Sequence, residues 1–291
     1  MDSANEALGL PREARTLIVS ADDFGMYEEV NEAVVRAFED GIVSSCGLMP
    51  PCPAAEEAMA MLRARPHLPF GIHLTLLCDT PARPWGPLTA RERVPSLLDG
   101  RGALFTPDRL PELLAQARPE EAETEFRAQL DAVAAAGLTP THLDWHCLAD
   151  GGRPDIFDLT LALADEHGLA VRAWLPSSHE RLGRRGLTSV EHDFVDSFTL
   201  DPATKEARCE ELLRTLPPGL SEWAVHPGLD TPEARSLDPD GWHVRSTDLA
   251  HVTSPRAREL LDEEGIVVTD YAAVSRAWER VRTSERARAS Q

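Results

Sequence analysis

The sequence predicts an α/β fold built on a mostly parallel sheet with crossover helices. Three observations carry this. Short apolar runs alternate with helical patterns along the whole chain, in βαβα order. No Pro/Gly/Ser-rich linker of convincing length divides the 291 residues. Residues able to do chemistry fall at the ends of the apolar runs, where parallel α/β proteins keep their sites.

The first run is "TLIVSAD" from Thr16, followed by the helix-like "YEEVNEAVVRAFEDG", whose Val30, Val34 and Phe38 form one stripe and whose Gly41 is a natural stop. "IVSSCGLM" precedes the helical "AAEEAMAMLRAR". "FGIHLTL" is a third strand, and "THLDWH" a fourth, after an Ala-rich helix from about Glu120 to Ala136. "AVRAW", "HDFVDSF", "EWAVH" and "GIVVTDY" complete eight strand candidates, with helical spacing in "FDLTLALADEH", "KEARCEELLRTL" and "PRARELLDEEG". Cys78 to Leu110 lacks periodicity and reads as a long loop of the kind that forms lids or substrate walls, and "PSSHERLGRRG" reads as a second loop. The expectation is one catalytic domain over residues 1–291. Its core would run from about 15 to 275, with the polar N-terminal segment and the Arg-rich tail "WERVRTSERARASQ" outside it.

Composition narrows the partners. Hydrophobic residues are 42% and charged residues 27%, which is globular. A formal charge of −20 repels phosphate backbones and anionic lipid heads, so nucleic acid and membranes are poor partners. The single lysine, Lys205, argues against Schiff-base chemistry and a phosphate-loop lysine. No run approaches the ~18 apolar residues of a membrane span, and the first residues lack the basic-then-apolar order of a signal peptide. Five scattered cysteines without a C-x-x-C suggest reduced thiols. A cytoplasmic protein is expected.

Two adjacent aspartates, Asp22 and Asp23, end the first strand. His73 lies in the third, Asp144 and His146 end the fourth, and His226 ends the seventh before Pro227 and Gly228. Strand neighbours point to opposite faces, so the aspartate pair ends either in a solvated turn or against something positive. An aspartate with two imidazoles would bind a divalent metal and leave room for water and substrate, while a second carboxylate takes a proton from that water. Each residue has an ordinary alternative. Asp23 would cap the next helix, His73 would be a hydrogen-bonded core histidine, His226 a loop residue, and Asp144 a structural acceptor on a solvated face shared with His142 and His146. The combination favours the metal.

The stretches "LIVSADDFGMYEEVNEAV", "GIVSSCGLMP", "FGIHLTL", "PTHLDWH" and "HPG" resemble, in order from about Arg15 to Tyr271, the YdjC/ChbG-type carbohydrate deacetylases. That resemblance implies an irregular (β/α) barrel of the polysaccharide-deacetylase kind. It also implies metal-dependent removal of acetyl groups from N-acetylated sugars such as chitooligosaccharides. Carried over by position, Asp23, His73 and His146 resemble the metal-binding residues, Asp22 the catalytic base, and His226 the acid toward the leaving amine. Arg172 matches an arginine that orients Asp22, and Asp144 orients a histidine through its ring N–H. The divalent ion is left open, with magnesium and zinc leading. The partner implied is a small carbohydrate, and a homodimer is allowed. The family commonly reads T-H-x-D-S-H-x-H-x-H, whereas here Trp145, Leu148 and Asp150 stand at three of those places, which leaves the substrate open. Cys147 is expected on the opposite strand face from His146. Any of the tryptophans Trp85, Trp145, Trp174 and Trp242 would suit stacking on a sugar ring. Three other readings stay open: a metal-dependent hydrolase of another amide or ester, a retired carbohydrate-binding protein, and a Cys147-dependent hydrolase.

Overall fold

The computed structural model describes residues 3–192 and 195–289. Its centre is a sheet of eight parallel strands among the described residues: β1 (Arg15–Phe24), β2 (Ser45–Leu48), β3 (Phe70–Leu74), β4 (His142–Trp145), β5 (Ala170–Val171), β6 (Val195–Asp196), β7 (Gly219–Val225) and β8 (Ile266–Thr269). The order is β5-β4-β3-β2-β1-β7-β6, with β8 paired to β1. β1 is long enough to serve two neighbours on one side. Arg15–Ile18 pair with β8, and Ser20–Phe24 pair with β2, while β7 runs along the other side. Helices connect the strands and cover the outer face, giving the irregular (β/α) barrel, open between the two-residue edge strands β5 and β6. In the expected sixth strand, Asp193 and Phe194 lie outside the described residues, and Val195–Asp196 form the strand.

β1 carries the apolar run Leu17–Val19 because both of its faces are covered; from Thr16 to Phe24 every residue is buried. A glycine lets the middle of the sheet close up. A Cβ on Gly71 of β3 would sit 2.4 Å from the ring of His142 on β4, so only glycine fits beside that imidazole. His142 stacks on Tyr271 with centroids 3.9 Å apart, and burial pushes its pKa down to about 3, so it is a neutral core residue.

Three expectations need correction. "PSSHERLGRRG" is not a loop: Pro176–Arg184 is a helix, with Pro at its start and Ser178 and Leu182 buried one turn apart. Two buried positions in nine are too few for an apolar stripe to declare itself. The core does not stop at residue 275. Helix Tyr271–Ala289 buries Tyr271, Val274 and Trp278, and Arg282 donates to the carbonyls of Ala164 and Leu169. Nor is the N-terminal segment outside it: helix Ala4–Leu8 contributes Ala4 to the same core. Composition misleads here because one buried tryptophan anchors an otherwise Arg-rich helix. Trp278→Ala, which also removes the Nε1–H bond to the Thr188 carbonyl (2.7 Å), is expected to cost about 3–5 kcal/mol. The check is a denaturant midpoint, and an unchanged midpoint would place this helix outside the cooperative unit.

The Cys78–Leu110 segment is irregular, as expected, with three short 3₁₀ turns at Arg91–Arg93, Pro95–Leu97 and Pro107–Arg109. It is nevertheless well packed, burying Trp85, Val94, Leu97, Leu104 and Phe105.

Candidate active site

β1 answers the question of the paired aspartates. The β1–β2 register slips between Ala21 and Phe24, and Asp23 takes φ = 70°, a left-handed conformation that aspartate tolerates better than most residues. The slip cancels strand alternation, so both carboxylates turn into the mouth of the barrel, each at most 3% exposed. Asp23 does not cap the next helix, whose N-cap is Tyr27.

Around Asp23 Oδ1 gather His146 Nδ1 at 3.1 Å and His73 Nε2 at 3.7 Å. One donor atom from each of Asp23, His73 and His146 lies within 4.8 Å of the others, and all three are buried. Each imidazole also meets a carboxylate on its far nitrogen. His73 Nδ1 is 2.9 Å from Asp144 Oδ2, and His146 Nε2 is 3.4 Å from Asp79 Oδ2. That pattern orients metal-binding histidines. Burial opposes charge on both rings, yet Asp144 and Asp22 raise the pKa of His73, and Cys147 followed by Asp79 raises that of His146. Asp23 Oδ2 is held by Arg245 Nη1 at 2.8 Å. Burial works against its ionisation, but Arg245 and His146 keep its carboxyl well below the usual range, and Oδ1, free of arginine, faces the two imidazoles. The set suits a divalent cation.

Asp22 accepts from one nitrogen of Arg172, Nη1, at 3.0 and 2.9 Å. The same nitrogen donates to Asp144 Oδ2 at 2.7 Å, and Arg172 Nε is 2.8 Å from Glu222 Oε1. Arg172 is therefore the hub of three buried carboxylates, and the expected Arg172–Asp22 contact exists. Across the mouth, His226 Nε2 is 4.0 Å from Asp22 Oδ2. The residues singled out in the sequence are thus brought to one place.

Two details differ from expectation. Cys147 does not face away from His146: it lies beyond the end of β4 with φ = 54°, and its Sγ is 3.4 Å from His146 Nε2. Strand alternation had already ended at Trp145. Trp145 is buried behind the sheet, its Nε1–H donating to Thr160 Oγ1 at 3.2 Å, so it cannot stack on a ligand in the mouth. Trp85 and Trp174 stand nearer: the Trp85 ring is 6.3 Å from His146, and Trp174 lies over Arg172 at 5.0 Å. Of the departures from the family run, Leu148 is buried in the core, and Asp150 accepts the amide hydrogens of Trp174 and Leu175 at 2.8 and 2.9 Å. Both now serve structure.

Sequence reading missed Asp79, Glu222, Arg245 and Asp248. Asp79 sits in the aperiodic segment, where no spacing rule applies. Arg245 and Asp248 lie on helix Trp242–Val252, whose buried face carries Val244, Arg245, Asp248, Leu249 and Val252. Charged residues on the inner face erase the apolar stripe by which helices are found.

A parallel (β/α) barrel with an Asp–His–His cluster at the carboxyl ends of β1, β3 and β4 defines the class. Residues 16–263 match the family of YdjC-like proteins, and the chain belongs to that family. It is 33% identical over 260 residues to a carbohydrate deacetylase of Brevibacillus brevis, covering 88% of this chain and 98% of the relative. It is 32% identical to a carbohydrate deacetylase of Geobacillus stearothermophilus, covering 88% and 97%. Among solved structures, an Enterococcus faecalis V583 protein, provisionally described as a cellobiose-phosphate cleavage protein, superposes with a TM-score of 0.77 at 26% identity, covering 90% of this chain and 99% of its own. No helix among the described residues is long and apolar enough to cross a membrane.

Proposed function

We propose that this protein is a metal-dependent carbohydrate deacetylase, removing acetyl groups from N-acetylated sugars to release acetate and a free amino sugar. The observation that carries the reading is the convergence of Asp23, His73 and His146 beside Asp22. Asp23, His73 and His146 would hold a divalent cation, which, when bound, acidifies a water and polarises an amide carbonyl. Asp22 is the carboxylate that takes the proton from the attacking water, and Arg172 fixes its direction. Two neighbouring acids differ in role because their partners differ: Arg172 touches both oxygens of Asp22, whereas Arg245 leaves Asp23 Oδ1 open. His226, on the far side of Asp22, delivers a proton from Nε2 to the departing amine nitrogen. A cavity of about 870 Å³ lined by Cys78, Trp85, Asp99, Arg101, Leu104 and Arg109 lies in the neighbouring Cys78–Leu110 segment, and none of the proposed metal or acid–base residues lines it.

The test is acetate release from diacetylchitobiose by protein loaded with magnesium or zinc, against chelated protein. Release that chelation abolishes and metal restores supports the reading. No acetate from any N-acetylated sugar, with metal demonstrably bound, would overturn it in favour of another amide or ester. Activity that survives chelation but not thiol alkylation would favour Cys147 instead.

A further inference from the structure

Behind His226 runs a buried polar chain that ends on the protein's single lysine. Ser197 Oγ lies 3.2 Å from His226 Nδ1 and donates to Asp248 Oδ2 at 2.5 Å. The same carboxylate oxygen accepts the backbone N–H of His226 at 2.8 Å. Asp248 Oδ1 is 2.7 Å from Lys205 Nζ, which also donates to the Val244 carbonyl at 3.2 Å. Asp248 and Lys205 are each 1% exposed. A hydroxyl has one proton to give, and a carboxylate accepts only, so the Ser197 proton goes to Asp248. Ser197 Oγ must then accept, and the proton between it and the ring belongs to His226 Nδ1. Neutral His226 is thereby the Nδ1–H tautomer, which leaves Nε2, on the Asp22 side of the ring, as the atom that carries the proton for the departing amine.

We propose that Ser197, Asp248 and Lys205 form a positioning relay that sets the tautomer and ring direction of His226. The inference rests on the reading of His226 as the proton donor. Lys205 serves at the far end. A carboxylate buried this completely needs a cation, and with Lys205 in place Asp248 stays an acceptor that orders the serine hydroxyl. Among the described residues, the other charged groups facing His226 are Asp22, 4.0 Å from Nε2, Asp196, whose Oδ1 is 3.8 Å from Nδ1, and the more distant Asp23. Asp196 Oδ1 already accepts the Phe198 N–H at 2.8 Å, and its side chain is 34% exposed, so it is the weaker claimant for the ring proton. Phe198 packs edge-on against the ring, centroids 4.8 Å apart, which restricts its rotation.

The experiment is ¹⁵N NMR of the histidine rings in the metal-loaded protein, with His226 assigned by the signal lost in His226→Gln, alongside acetate-release kinetics. The wild type is expected to show His226 protonated at Nδ1. Ser197→Ala and Asp248→Asn should abolish that preference and lower kcat about 10- to 100-fold at unchanged KM. Ser197→Thr keeps the hydroxyl and should restore both readouts. Lys205→Met should lose the tautomer and Lys205→Arg keep it; if the methionine variant does not fold, Asp248→Asn carries the test. An unaltered Nδ1–H signal in Ser197→Ala and Asp248→Asn, or its loss in Asp196→Asn alone, overturns the relay. If His226→Gln retains full kcat while the tautomer still depends on Ser197, the acid role falls and the relay survives it.

Discussion

Asp22→Asn is expected to lower kcat for acetate release by about 10²–10⁴-fold, the usual worth of a positioned general base, while metal uptake stays at the wild-type level. The substitution preserves size, and the amide oxygen can still accept from Arg172, so the hub is kept while the basicity goes. Unchanged metal uptake is the discriminating half. Asp22, His73 and Asp144 also lie close enough to hold a cation, and this alternative set shares His73 with the first. Arg172 Nη1, however, occupies both Asp22 oxygens and Asp144 Oδ2 at 2.7–3.0 Å, whereas Arg245 occupies only one oxygen of Asp23. Titration calorimetry of Asp22→Asn and Asp23→Asn separates the sets: Asp23→Asn should lose the metal and Asp22→Asn should not. The reverse result would exchange the roles of the two aspartates.

Arg172→Met is expected to destabilise the fold by about 3–5 kcal/mol, the cost of removing one partner from a buried ionic cluster. Its loss strands three carboxylates, Asp22, Asp144 and Glu222, each buried at 2% exposure or less. Burial, followed by the smaller repulsion of Asp22 and Asp144, pushes the Glu222 pKa up to about 7 even though Arg172 and the Tyr271 hydroxyl lower it. The sign of the pH dependence follows. The folded state holds this proton more tightly than the unfolded chain, so the Glu222 contribution is fully present below about 4.5 and is lost as pH rises through about 7. Glu222→Gln keeps an acceptor for Tyr271, whose OH donates to Oε2 at 2.7 Å, and should flatten that part of the stability profile. Denaturant unfolding of wild type, Arg172→Met and Glu222→Gln across pH 4.5–8 is the check. A Glu222→Gln profile parallel to wild type throughout would show that this carboxyl does not titrate between the two states.

Much of the site was legible before any coordinates because strand ends are readable. Apolar runs stop abruptly, and an Asp or His at the stop of a parallel strand lies on the active face by topology alone. Hence Asp22, Asp23, His73, Asp144, His146 and His226 stand together as expected, and the eight strands appear where the runs are. Legibility failed where burial was not apolar. Helix Trp242–Val252 points Arg245 and Asp248 inward, and Pro176–Arg184 buries too little to show a stripe. Helix Tyr271–Ala289 hides one decisive tryptophan among arginines. Local rules failed at the strand ends themselves, where alternation predicts opposed aspartates and a turned-away Cys147, and left-handed φ values at Asp23 and Cys147 reverse both.

The sequence by itself determined the α/β class, the order of the strands, and the Asp and His residues that end them at the carboxyl edge of the sheet, because hydrophobic period and chain topology are local properties. Only the tertiary structure decided what each carboxylate faces. Asp22 and Asp23 are identical neighbours in the chain, and Arg172 and Arg245 arrive from 150 and 222 residues away to give one both its oxygens occupied and the other an oxygen open. Charge pairing acts through space, so the division of labour between two adjacent aspartates is a property of packing.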